Sequence, residues 1–131
     1  MPKKIIQTSK APKAIGPYSQ AVLANGFVFL SGQIGLKPDG NLTTGGVKEQ
    51  TQQIMKNLSA ILSQVGLNFN NLVKTTIFLT DLANFDSVNQ IYGQYFPKQP
   101  PARSTVEVKA LPKGALIEIQ AIALDFNQPT G

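Results

Sequence analysis

The sequence predicts an α+β domain with two helices packed on one face of a β-sheet. Apolar residues recur at helical spacing in two stretches, Val47–Val65 and Phe85–Tyr95, and short β-branched or alternating runs surround them. The 131 residues carry no internal repeat, low-complexity tract or linker, so the whole chain, 1–131, reads as one domain. The expected order is β-β-α-β-α-β-β.

The first pair of strands is Ala21–Ala24 and Phe27–Ser31, joined at Asn25-Gly26, residues that favour the tight turns of hairpins. Ser31-Gly32-Gln33 and a turn-rich stretch with Pro38-Asp39-Gly40 and Gly45-Gly46 follow. Val47, Ile54, Leu58, Ile61, Leu62 and Val65 then form the stripe of a helix that Gly66 should stop. Leu72–Thr80, rich in Thr, Ile and Val, reads as a strand. Asp81 is placed to cap a second helix with Phe85, Val88, Ile91, Tyr92 and Tyr95 on its apolar side, ended by Pro97. Thr105–Lys109 and Leu116–Leu124 are the last two strands.

One layer of two helices covers only one face of a sheet. In Leu116–Leu124 both alternation sets, Leu116/Glu118/Gln120/Ile122/Leu124 and Ile117/Ile119/Ala121/Ala123, are largely apolar. Neither face looks wet, so an oligomer is expected.

Composition narrows the chemistry. The chain has no His and no Cys, which removes the usual ligands of zinc and most transition metals, as well as disulfides and His-assisted Ser or Cys nucleophiles. Seven carboxylates remain for acid–base work: Asp39, Glu49, Asp81, Asp86, Glu107, Glu118 and Asp125. The net charge of +5 is spread over scattered lysines rather than gathered into a patch, so no nucleic-acid footprint is expected. No apolar run is long enough to span a membrane, and Met1–Ile6 lacks the features of a signal peptide. A cytoplasmic protein is the expectation.

Against eleven lysines there is a single arginine, Arg103, in the run Pro100-Pro101-Ala102-Arg103-Ser104-Thr105. A guanidinium offers a rigid fork of donors that matches a carboxylate two bonds at a time, which an ammonium cannot do. Arg103 therefore reads either as an ordinary surface cation or as an anchor for a planar anion. Glu118, flanked by Ile117 and Ile119, is either a solvated strand residue or a half-buried acid beside a cavity, where burial raises its pKa. Glu107 alternates with Val106 and Val108 as a plain outward residue. The rigid turn Gly16-Pro17 presents Tyr18 to a ligand or simply over the end of the sheet. Ser31-Gly32 can bring backbone N–H groups close to a ligand, because glycine permits close approach. Asn89 reads first as an exposed helix residue and second as a polar group aimed at a cleft.

Taken together, Ala14-Ile15-Gly16-Pro17-Tyr18-Ser19-Gln20, Ser31-Gly32-Gln33-Ile34, Val73-Lys74-Thr75-Thr76 and Pro101–Val108 continuing through Leu111-Pro112-Lys113 to Ile117-Glu118-Ile119 resemble the RidA/YjgF reactive-intermediate deaminase family over roughly Ile5 to Asp125. The resemblance implies a chorismate-mutase-like fold with a mixed sheet of about six strands, a homotrimer, and ligand clefts between subunits. It implies cofactor-free, metal-free hydrolysis of 2-enamino and 2-imino acids, such as 2-aminoacrylate, to 2-keto acids and ammonia. The family's carboxylate-binding arginine falls on Arg103, its water-positioning glutamate on Glu118 and its pocket tyrosine on Tyr18. Its substrate-binding positions fall on Ser31, Gly32, Asn89 and Thr105.

Three positions depart from the family pattern. Thr105 stands where cysteine is common and would serve through its backbone N–H. Gly35 stands where proline is common, which predicts a looser loop. Gln120 replaces a frequent second glutamate. Two other functions are compatible with the same resemblance: an RNA-acting translation inhibitor or endoribonuclease, and a regulatory protein that binds small metabolites without turnover.

Overall fold

The computed structural model describes residues 2–127. It contains a mixed six-stranded sheet with two α-helices, the α+β arrangement expected. The strands are β1 (Lys4–Ile6), β2 (Ala21–Ala24), β3 (Phe27–Gln33), β4 (Leu72–Leu79), β5 (Ala102–Glu107) and β6 (Ile117–Leu124); the helices are α1 (Val47–Ser63) and α2 (Phe85–Gly93). Across the sheet the order is β1-β2-β3-β6-β4-β5. Among the described residues only the β4–β5 pair is parallel, and α2 lies in the connection that such a pair requires.

Local chemistry explains most boundaries. Asn25 and Gly26 both have positive φ (52° and 82°), as the hairpin turn between β2 and β3 demands. The start of α1 is held by Glu49, whose Oε1 accepts the Gly46 N–H at 2.8 Å. Its end is closed by Gly66 at φ 74° and by a Leu67 N–H bond to the Leu62 carbonyl at 3.0 Å.

Four expectations need correction. A strand precedes the hairpin: β1 pairs antiparallel with β2 and buries Ile6. The fifth strand begins at Ala102, three residues before the expected Thr105, because Ala102 already pairs with Lys74. Asp81 caps a 3-10 turn, Leu82–Asn84, accepting from the Ala83 N–H at 2.9 Å, and this turn runs on into α2, which stops at Gly93 before Pro97. The Gly35 loop is not loose: its carbonyl accepts the Thr43 N–H at 2.8 Å, and a Cβ there would meet Gln50 Cα at 2.9 Å, so glycine lets the loop lie directly on α1.

The core lies between the helices and one face of the sheet. Ile54, Leu58, Ile61 and Leu62 of α1 meet Val28, Leu30, Ile77, Leu79, Ile117 and Ile119 there, all buried. Three buried amides fasten loops to this core. Gln20 bonds Thr8 N–H (2.7 Å) and the Thr8 and Pro12 carbonyls (3.0 and 2.8 Å); Gln50 accepts the Leu116 N–H (2.9 Å); Asn57 donates to the Leu36 carbonyl (2.9 Å).

On β6 the alternation is clear: Ile117, Ile119, Ala121 and Ala123 are buried against the helices, while Glu118, Gln120, Ile122 and Leu124 point to the other face. That second face carries Phe27 and Phe29, 36% and 46% exposed, with Val106 43% exposed. Solvent-exposed aromatics on a sheet face leave apolar surface that only another molecule can remove from water.

Candidate functional site

Glu118 and Arg103 stand on opposite faces of the sheet. Glu118 pairs in register with Phe78 on the face away from the helices. Arg103 pairs with Thr75, which is buried on the helix face. Their strands are two spacings apart, roughly 10 Å across the sheet. The chain therefore holds two candidate half-sites, one around each residue.

The first half-site surrounds Glu118. A cavity of about 720 Å³ is lined by Tyr18, Gly32, Gln33, Ile34, Pro112 and Glu118, among others. The β3–β6 register shifts between Leu30 and Gln33, and this bulge carries Ser31 and Gly32 past the carboxylate. A Cβ on Gly32 would lie 2.5 Å from Glu118 Oε2 and 2.8 Å from its Cδ. Glycine is needed here to make room for the acid, in addition to any exposure of backbone to a ligand. Half-buried, Glu118 has its pKa raised above the ordinary 4.5 by desolvation.

Tyr18 is 53% exposed at the cavity wall. Its loop is tied down by Ser31, whose hydroxyl donates to the Ser19 carbonyl at 2.6 Å and whose N–H donates to the Gln20 carbonyl at 3.0 Å. The Ser31 side chain thus anchors the tyrosine loop. Gly32→Ala is expected to leave the protein folded while displacing the Glu118 carboxylate. Since a misplacement of about 1 Å can lower a rate about a hundredfold, kcat/KM should fall by that order, and an unchanged value would show that the close approach has no functional role.

The second half-site surrounds Arg103 on the edge strand β5. Its guanidinium donates from Nη1 to Asn89 Oδ1 at 2.7 Å and lies over two rings, 5.3 Å from the Phe85 centroid and 5.2 Å from that of Tyr92. Phe85, Asn89 and Tyr92 follow one another at i, i+4 and i+7, so a single stripe of α2 cradles the cation. Asn89 is half-buried and its side-chain oxygen accepts from the arginine.

The Val108 N–H bonds the Leu79 carbonyl, so by two-residue alternation the N–H groups of Arg103 and Thr105 point to the free edge of β5. The Thr105 hydroxyl, in contrast, is buried and has no hydrogen-bond partner among the described residues. Thr105 thus offers the edge its backbone N–H. Glu107 is exposed, as expected, and accepts the Leu82 N–H at 2.9 Å.

Among the described residues, no three His, Cys, Asp or Glu side chains are grouped to hold a metal ion, and no helix is long and apolar enough to cross a membrane.

Residues 8–125 match the family model described as Endoribonuclease L-PSP. The chain belongs to the RidA/YjgF family. It is 51% identical to human 2-iminobutanoate/2-iminopropanoate deaminase over 123 residues, 93% of this chain and 90% of the human protein. Its fold superimposes on the Rid-family protein YyfA of Yersinia pestis with a TM-score of 0.91 at 52% identity, covering 94% and 99% of the two chains. Escherichia coli TdcF, solved with bound serine, matches with a TM-score of 0.87 at 42% identity, covering 92% and 98%. These RidA/YjgF relatives match the chain over most of its length.

The residues that sequence reasoning overlooked are Phe85, Tyr92 and Thr75. The first two carry an apolar signal indistinguishable from core packing, and Thr75 shows only strand propensity. Their connection to Arg103 depends on how α2 lies across the sheet.

Proposed function

We propose that the protein is a hydrolase of the 2-iminobutanoate/2-iminopropanoate deaminase type, converting small 2-enamino and 2-imino acids to 2-keto acids and ammonia without a cofactor. Its similarity to the human deaminase over most of both chains supports the reaction class. The observation that supports the chemistry is that one chain carries both a guanidinium held over two aromatic rings and a desolvated carboxylic acid.

In this reading Arg103 holds the substrate carboxylate through two parallel N–H bonds, and the Thr105 N–H helps from the same edge. Glu118 orients a water molecule against the imine carbon and takes its proton as the C–O bond forms. That proton passes to the amino nitrogen of the tetrahedral adduct. The hydroxyl proton of the adduct then moves to the same nitrogen as the C–N bond breaks, so ammonia leaves with both water protons and the keto group forms. The raised pKa of Glu118 makes its carboxylate a better base than an exposed one. Tyr18 closes the pocket over the substrate. Ile15, Ile34 and Pro112 give the cavity apolar walls for the substrate side chain.

Because the half-sites occupy opposite faces of one chain, the complete site forms between two copies: Tyr18, Gly32 and Glu118 from one, Arg103, Asn89 and Thr105 from its neighbour. The exposed apolar face with Phe27 and Phe29 supports burial in such an assembly, a homotrimer in this reading. A cytosolic setting belongs to the same reading, supported by a sequence without cysteine. Nucleic acid is not among the proposed partners.

The test is keto-acid release from imines generated in situ by a second enzyme. Acceleration in proportion to added protein is expected. Calorimetric binding of 2-oxobutanoate without any acceleration would instead make this a metabolite-binding regulator. RNA cleavage that survives repeated purification and vanishes in Arg103→Ala would favour the ribonuclease function.

A further inference from the structure

Arg103 belongs to a closed triangle of contacts. In the parallel β4–β5 pair its register partner is Thr75. Thr75 is 1% exposed, and its Oγ1 shares a hydrogen bond of 2.6 Å with the Tyr92 hydroxyl. The Tyr92 ring, itself 5% exposed, lies 5.2 Å from the Arg103 guanidinium carbon. Each side of the triangle fixes the next: strand pairing sets Thr75 beside Arg103, the hydroxyl pair sets the height of α2 over the sheet at that point, and the ring sets the plane on which the guanidinium rests. An exposed arginine ordinarily samples many rotamers, and ordering it on a ligand costs conformational entropy.

We propose that Tyr92 and Thr75 are positioning residues for Arg103, and that their hydroxyl pair presets the guanidinium for a carboxylate ligand. The inference rests on the reading of Arg103 as the carboxylate anchor. It adds a requirement that anchoring alone does not impose: the phenolic oxygen, remote from any substrate, governs affinity. A ring held only by packing could tilt or slide along β4. A ring tied to Thr75 cannot do so without leaving a buried hydroxyl unpaired. Burial also keeps the phenol protonated, raising its pKa, so one of the two hydroxyls always has a proton to share. Tyr92→Phe keeps the ring and its cation–π contact and removes only the tie. Thr75→Val removes the same tie from the other end with little change in volume.

The experiment measures 2-oxobutanoate binding by calorimetry, and kcat and KM for keto-acid release, in Tyr92→Phe, Thr75→Val and the double variant, each with Arg103 and with Arg103→Ala. With Arg103 present, each single change should weaken binding about fivefold, mainly through KM. The double variant, which leaves neither hydroxyl orphaned, should do no worse than the singles. In the Arg103→Ala background the same changes should have no further effect. Two results would overturn the proposal: lowered melting temperature with unchanged affinity, or equal weakening in both backgrounds, which would mark a structural role. If Arg103→Ala alone leaves affinity and KM unchanged, the carboxylate anchor itself is wrong and the positioning role falls with it, an outcome distinct from the other two.

Discussion

Arg103→Lys lowers kcat/KM for 2-imino acids about ten- to a hundredfold while the melting temperature stays nearly constant. The charge survives this substitution, so any loss reports geometry. A charge-assisted bidentate pair contributes about 1.5–3 kcal/mol, and about 1.4 kcal/mol corresponds to a factor of ten. Lysine also lacks the planar face that rests between Phe85 and Tyr92 and the N–H directed at Asn89. Stability should change little because the side chain is exposed and lies on an edge strand. Steady-state kinetics with 2-iminobutanoate, compared with thermal melts, separates the two effects. Full activity in the lysine variant would mean that a point charge suffices.

Glu118→Gln abolishes most activity, by about 10²–10⁴, and at the same time stabilises the protein at neutral pH. Burial raises the Glu118 pKa, so the folded protein holds this proton more tightly than the unfolded chain does. Between the unfolded value and the raised folded value, the folded state binds the extra proton. Stability therefore falls as pH rises through that window, and above it the full penalty of an ionised, desolvated acid is present. Glutamine is nearly isosteric and carries no charge, so the variant should melt higher than the wild type at pH 7. The difference should shrink as pH drops through the window and vanish once the acid is protonated in both states. Melts across pH 3–8 check this; a variant less stable than the wild type at pH 7 would mean that the carboxylate makes favourable contacts outweighing its desolvation. Opposed effects on activity and stability are the signature of a group kept for chemistry.

Much of this arrangement was legible in the sequence where short-range rules govern. Asn25-Gly26 specified a hairpin, Gly66 ended α1, and Arg103 and Glu118 stood out by composition. What stayed hidden depends on contacts distant along the chain. Strand β1 is three residues long with one buried side chain, too little for any period to show. Strand β5 lies at the edge of the sheet, where exposed residues on both sides of the ribbon erase the usual alternation. Gln20, Gln50 and Asn57 look like surface amides, because burial becomes possible only through partners supplied by folding. The opposite facing of Arg103 and Glu118 follows from the registers of β5 on β4 and of β4 on β6, and neither is encoded locally.

That opposite facing makes the proposed split site directly measurable. Arg103→Ala and Glu118→Gln are each expected to be nearly inactive, since every site lacks one half. Mixed in equal amounts, unfolded and reassembled together, the two variants should regain about one quarter of wild-type keto-acid release, because in a random cyclic assembly that fraction of interfaces joins an intact Arg103 to an intact Glu118. Activity no greater than that of the separate variants, in assemblies shown to contain both, would contradict a site shared between copies.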